Sequence, residues 1–311
     1  MNLFLETIVF LVKFIWLWLL GVYKALMPAS LQPQKAISGW TVLISGSGSG
    51  IGRLLALRFA ALGCRVVLWD MNQAENEKTA HLLRQAALGA QATTYTVDLS
   101  NRDQVYRIAG QVKDDVGDVD ILVNNAGIVT GRKLLDTSDT ADALMVKTME
   151  VNSISHFWTV KAFLPAMLQR NRGHVVTISS SAGLFGASGL VDYCSSKFAA
   201  FGFAESLRLE LAKQKKDGIK TTVVCPGFID TGMFEGFKYR FPILMPILEP
   251  PYVADKIIEA VLIDQAWLCL PRSAYLMYYL KGLLPVNATD ALGEFMGILD
   301  LMDEFKGRKK D

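Results

Sequence analysis

The sequence predicts an α/β fold, a doubly wound parallel sheet, and three observations predict it. From Trp40 onward, short β-branched runs alternate with longer amphipathic helical stretches, the pattern of repeated strand–helix–strand units. A glycine-rich turn, Ser45-Gly46-Ser47-Gly48-Ser49-Gly50-Ile51-Gly52, joins the first strand of that region to its first helix. An acid, Asp70, closes the second strand twenty residues beyond Gly50. That order is the signature of a Rossmann-type dinucleotide-binding unit.

The chain has 311 residues, 51% of them hydrophobic, with 32 Lys and Arg against 30 Asp and Glu and a formal net charge of +2. A near-neutral balance argues against a nucleic-acid partner, which needs a basic stripe. The apolar content argues against intrinsic disorder. The four cysteines, Cys64, Cys194, Cys225 and Cys269, form no CxxC and no Cys/His pair at metal-ligand spacing. Neither a disulfide framework nor a metal site is expected, and the thiols read as buried groups in a reducing compartment.

The mean hydropathy, +0.28, is high for a soluble protein, and residues 3–27 hold most of the excess. Only Glu6, Lys13 and Lys24 interrupt LFLETIVFLVKFIWLWLLGVYKALM. As a helix it would be about 37 Å long, against ~30 Å for a hydrocarbon core. A cleaved signal peptide would start with a basic region and have a shorter apolar core. A membrane helix is therefore expected, either spanning or lying in the interface. Trp16, Trp18 and Tyr23 suit the interface, and Lys13 can snorkel. Lys24 and Lys35 follow the apolar run, which keeps the main domain cytosolic.

Three segments result: a membrane anchor and linker over 1–35, a dinucleotide-binding catalytic domain over 36–270, and an apolar, membrane-associated C-terminal extension over 271–311. The expected strands are Thr41–Ser45, Arg65–Trp69, Thr93–Val97, Ile121–Asn124, His174–Ser179 and Thr221–Cys225. Helices such as Ile51–Leu62 and Asn72–Leu88 separate them. FPILMPILEPP, with four prolines in eleven residues, cannot be an ordinary helix interior. SAYLMYYLKGLLP and ALGEFMGILDLM read as short apolar helices. They are compatible both with a packed extension of the core and with a lid over an apolar substrate.

The glycine-rich turn lets the backbone approach a pyrophosphate, and the helix behind it adds N–H donors and partial positive charge. Gly46, Ser49, Gly50, Ile51 and Gly52 are its expected cofactor contacts. The Asp70 carboxylate can accept both ribose hydroxyls of NAD and would repel the 2′-phosphate of NADP. No cation stands at Met71 or Ser49, so NAD is favoured over NADP. Asp98, with Leu99 beside it, is assigned to the adenine edge. Asn124, Ala126 and Gly127 end the fourth strand. All these strand ends meet one crevice in an open parallel sheet.

Tyr193 and Lys197 are four apart in a helical stretch and share one face. A tyrosine with its ordinary pKa of ~10 is a poor base at neutral pH. A nearby ammonium and a cationic nicotinamide ring both favour the phenolate. Such a pair suits removal of hydride and proton from an alcohol. Ser180, thirteen residues earlier at a strand end, can hold the substrate oxygen. Asn152, at the start of the helix before that strand, can relay protons through water to Lys197.

The order Ser45-Gly46-x-x-x-Gly50-x-Gly52, Asn124-Asn125-Ala126-Gly127, Asn152, Ser180, Tyr193-x-x-x-Lys197 and Pro226-Gly227-x-x-x-Thr231 resembles the classical short-chain dehydrogenases/reductases. The resemblance implies Ser180, Tyr193, Lys197 and Asn152 as catalytic residues. It also implies Pro226, Gly227 and Thr231 beside the nicotinamide, and a homodimer. Ser45 departs from the usual threonine but keeps the hydroxyl, and Ser155 stands where glycine is common. The longer stretches LLALRFAALGCRVVLWDMN and DYCSSKFAAFGFAESL resemble the membrane-bound branch that holds retinol dehydrogenases and lipid-droplet 17β-hydroxysteroid dehydrogenases. That implies oxidation of a lipophilic alcohol, all-trans-retinol or a steroid, at the endoplasmic reticulum membrane or a lipid-droplet surface.

Overall fold

The computed structural model describes residues 3–86, 91–135, 138, 140–237 and 239–307. It has two compact units, Met1–Ala36 and Ile37–Asp311. The first holds helix α1, Leu3–Leu26, with no buried residue. Its mean hydropathy is 2.1, and among the described residues it is the one helix long and apolar enough to cross a membrane. Helix ends leave carbonyls unpaired. The Gln32 side-chain amide satisfies two of them, donating to Lys24 O at 2.9 Å and Met27 O at 3.0 Å.

The second unit is built on seven parallel strands: β1 Thr41–Ser45, β2 Arg65–Asp70, β3 Ala92–Thr96, β4 Ile121–Asn124, β5 Gly173–Ile178, β6 Ile219–Pro226 and β7 Trp267–Leu270. Their order is β3-β2-β1-β4-β5-β6-β7. The connections run outward in both directions from β1 and β4, so a crevice opens at their carboxyl ends. Strand alternation sends side chains to two cores. Val42, Ile44, Val66, Leu68, Ile121 and Val123 pack under helices α2 (Gly50–Ala61), α3 (Gln73–Ala86) and α8 (Pro250–Leu262). Leu43, Val67, Trp69 and Leu122 pack under α4 (Arg102–Asp115), α6 (Ser155–Arg170) and α7 (Val191–Lys213). A buried carboxylate closes the amino end of the sheet, where Asp120 accepts from Thr41 N, Arg170 and Arg172.

Six strands stand within two residues of their expected places at either end, and β7 was not anticipated. WLCL carries no β-branched residue, and its strand geometry comes from pairing with Val223–Pro226. The helix expected over Asn72–Leu88 runs Gln73–Ala86, with Ala87 and Leu88 outside the described residues. Of the four prolines in 241–251, Pro250 and Pro251 open α8, where a missing N–H costs nothing. The remainder forms turns and one bridge, Ile229 to Leu248. Helices α9 (Ser273–Leu283) and α10 (Val286–Phe295) follow β7. Residues 271–311 belong to the same compact unit as the sheet.

Candidate active site

The carboxyl ends of the strands surround a cavity of about 520 Å³. At one end its wall is the glycine-rich turn. Gly46 has φ +67°, and a Cβ there would lie 2.8 Å from Ala126 Cα, so only glycine lets the turn sit against β4. Ser45 supports the junction, with its hydroxyl accepting from Asn125 N at 3.0 Å and Ala126 N at 3.2 Å. The hydroxyl that replaces threonine therefore keeps its partners. Gly50 and Ile51, the first turn of α2, open on the cavity. Asp70 lines the same end, its two carboxylate oxygens accepting from Gly48 N and Asn72 N, both at 2.8 Å. Each oxygen keeps a further lone pair for a ribose hydroxyl. A bare backbone wall, a helix N-terminus and a carboxylate twenty residues on fit a dinucleotide.

Ser49, Leu99, Gly127, Pro226, Gly227 and Thr231 line the cavity as expected. Asp98 does too, two residues past β3. Partial burial opposes its charge, but hydrogen bonds from Ser100 and the nearby Lys147 ammonium outweigh that and hold its pKa below the usual carboxylate value. Asn124 lies elsewhere than expected. Strand alternation turns it the way of Leu122, and its side-chain carbonyl accepts from the Thr159 hydroxyl at 2.8 Å, with 1% exposure. The neighbouring Asn125 takes the cavity wall and donates to Ser45 O and Gly46 O at 2.9 and 3.2 Å. Gly52 stands behind the wall, packed on Gly46 O.

The side chains expected to be catalytic come from three elements. Ser180 follows β5, with its hydroxyl accepting from Ala182 N at 3.1 Å and donating to Pro226 O at 3.4 Å. Tyr193 and Lys197 stand one turn apart at the start of α7. Lys197 Nζ lies 5.7 Å from the Tyr193 ring centroid and donates to Ile178 O at 3.0 Å. Asn152 does not begin a helix. It sits in a π-helical turn, Glu150–Ile154, between α5 (Ala141–Met149) and α6, the kind of insertion that re-aims a functional side chain. Its amide exchanges two hydrogen bonds with the backbone of Ile128 and donates to Ser196 Oγ at 3.0 Å. Asn152 thus pins the loop after β4 behind the cavity wall, leaving one lone pair on Oδ1 for any relay. Ser155, in the glycine position, is buried and donates to Val151 O at 2.8 Å.

Among the protein's own groups, burial governs the titration of this site. Burial pushes the Tyr193 phenol up, against the opposing influence of the Ser180 hydroxyl. Lys197 is itself 3% exposed, and burial pulls it from 10.5 down to about 8. For a base with a depressed folded pKa, the unfolded chain binds more protons between the two values, so stability rises with pH there. The penalty is complete below pH 8 and gone above 10.5. Wild type should therefore gain about 2 kcal/mol on Lys197→Met between pH ~7.5 and ~9.5, read as converging melting temperatures. A constant difference between the two proteins would show that Lys197 titrates normally.

Beyond Tyr193 the cavity turns apolar, lined by Phe185, Leu190, Met233, Phe234, Met245 and Leu301 among others. Met277, Met296 and Ile298 bring the C-terminal helices and the segment after them into this wall. Phe234 packs edge-on against Tyr193 at 5.5 Å. The apolar wall carries no sequence signature, because its residues come from segments distant in the chain.

A parallel sheet with a glycine-lined crevice, and a Ser–Tyr–Lys set where that crevice meets an apolar pocket, defines a dinucleotide-dependent oxidoreductase. The short chain dehydrogenase family matches residues 40–239, and the chain belongs to it. It is 52% identical over 302 residues to human epidermal retinol dehydrogenase 2, covering 97% of this chain and 96% of that protein. Among solved structures it resembles a short-chain dehydrogenase/reductase from Burkholderia phymatum in complex with NAD (TM-score 0.71, 26% identity, 80% of this chain and 95% of that one). It also resembles a metagenomic short-chain oxidoreductase in complex with NADP (TM-score 0.62, 28% identity, 75% and 96%). The fold and the enzyme class expected from the sequence are thereby established.

Proposed function

We propose that this enzyme oxidises all-trans-retinol to all-trans-retinaldehyde with NAD, using Tyr193 as the base. The observation that carries the reading is the position of Tyr193, which lines the cavity with Ser180 where its glycine-walled and apolar ends meet. Ser180 orients the alcohol oxygen and Tyr193 takes its proton. Lys197 and Asn152 fix the surroundings of the phenol. NAD held there would supply the hydride acceptor, and its cationic ring would favour the phenolate that burial alone disfavours. Asp70 supports NAD over NADP by like-charge repulsion of a 2′-phosphate. The resemblance to epidermal retinol dehydrogenase 2 supports retinol. Helix α1 supports attachment to the endoplasmic reticulum membrane or a lipid droplet, with the catalytic unit facing the cytosol. A homodimer follows from the family resemblance.

Membranes carrying the full-length chain, supplied with all-trans-retinol, should form retinaldehyde on the order of a hundredfold faster with NAD than with NADP. Equal rates with both would overturn the cofactor assignment. Turnover of a 17β-hydroxysteroid without turnover of retinol would move the substrate and leave the mechanism standing.

A further inference from the structure

Arg53 follows the glycine-rich turn directly and lies in the first turn of α2. Its guanidinium reaches back to donate to the Gly48 carbonyl. It also donates to Glu75 Oε2 at 2.6 Å and to the Thr79 hydroxyl at 3.0 Å. Gly48 is the residue whose N–H holds Asp70, and Gly48, Asp70 and Glu75 all line the same end of the cavity. A permanent cation thus stands one peptide unit from the carboxylate assigned to the ribose. Lys147, a cation that lines the cavity as Arg53 itself does not, is matched by Asp98 at 3.7 Å.

The Arg53–Glu75 pair is not needed to tie α3 to the turn. Buried bonds already do that, with Ser47 Oγ donating to Asn76 Oδ1 at 2.7 Å and Thr79 Oγ1 donating to Ser47 O at 3.0 Å. The pair itself is partly exposed, 21% for Arg53 and 40% for Glu75, and such pairs add little stability. What Glu75 contributes is its charge. Lys78 approaches its other oxygen at 3.7 Å but is 61% exposed, so solvent screens it.

We propose that Glu75 is a specificity-determining residue, which neutralises Arg53 and so withholds from a 2′-phosphate the cation that would otherwise attract it. Asp70 repels the phosphate directly, and Glu75 removes the compensating partner. This rests on the NAD preference proposed above.

The test is equilibrium binding, free of turnover: dissociation constants of NADH and NADPH for the full-length protein in detergent, followed by nicotinamide fluorescence. Glu75→Gln should tighten NADPH about tenfold and leave NADH within about twofold. Arg53→Met in the Glu75→Gln background should erase the gain. Glu75→Ala is a second variant with the same expected gain, and melting temperatures should match wild type in both. Unchanged NADPH affinity, a gain that survives loss of Arg53, or parallel loss of both dinucleotides would overturn the proposal. Wild type and Asp70→Ala distinguish the underlying reading. If wild type binds both dinucleotides equally and Asp70→Ala changes neither, the NAD preference itself fails.

Discussion

Tyr193→Phe should lower turnover of any alcohol by about 10³-fold or more while leaving NADH binding within a small factor of wild type. The substitution removes one oxygen and keeps the ring, so the edge-on contact with Phe234 survives. Tyr193 is 6% exposed, so water cannot readily stand in as base. The variant should fold as well as wild type, because the deleted hydroxyl leaves behind Ser180, which keeps its bond from Ala182 N. Single-turnover NADH formation together with a dinucleotide titration separates chemistry from binding. Full activity in this variant would remove Tyr193 from the mechanism. Equal losses of activity and binding would make it a structural residue of the cavity.

Gly52→Ala should cost about 3 kcal/mol of stability, roughly 10 °C in melting temperature, and dinucleotide binding should fall with it. A Cβ at Gly52 would collide with the Gly46 carbonyl and lie 2.7 Å from Asn125 Nδ2. The first is backbone of the glycine-rich turn, and the second is held by its hydrogen bonds to Ser45 O and Gly46 O, so neither swings aside freely. Gly110, inside α4, has nothing within 4 Å of the same added atom. Gly110→Ala should therefore be neutral or slightly stabilising, since alanine is the better helix former. Comparable effects at both positions would show that the close approach at Gly52 relaxes, and that the turn tolerates more room than its geometry implies.

The features legible in the sequence are those set by local spacing. Tyr193 and Lys197 share a face because a helix repeats every 3.6 residues. The glycine-rich turn is recognisable because strand, turn and helix are consecutive. Helix α1 is recognisable because its apolar side chains need no partner within the protein. Family resemblance then supplied Pro226, Gly227 and Thr231, which no local pattern marks. At the margins, local patterns misled. Two consecutive asparagines look alike on paper, yet Asn124 turns into the α6 core and Asn125 into the cavity. Asn152 read as a helix start because a π turn has no distinct sequence pattern.

By itself, the sequence determined the doubly wound sheet, the dinucleotide turn, the acid that closes β2 and the Ser180–Tyr193–Lys197 set. Each is a short-range arrangement that backbone geometry imposes wherever the chain later goes. Only the tertiary structure decided β7, the apolar wall built partly from Met277, Met296 and Leu301, and the pairing of Arg53 with Glu75 across 22 positions. Those depend on which distant segments the packed sheet brings together. Hydrophobic burial and loop closure set that proximity over the whole chain, and no local spacing encodes it.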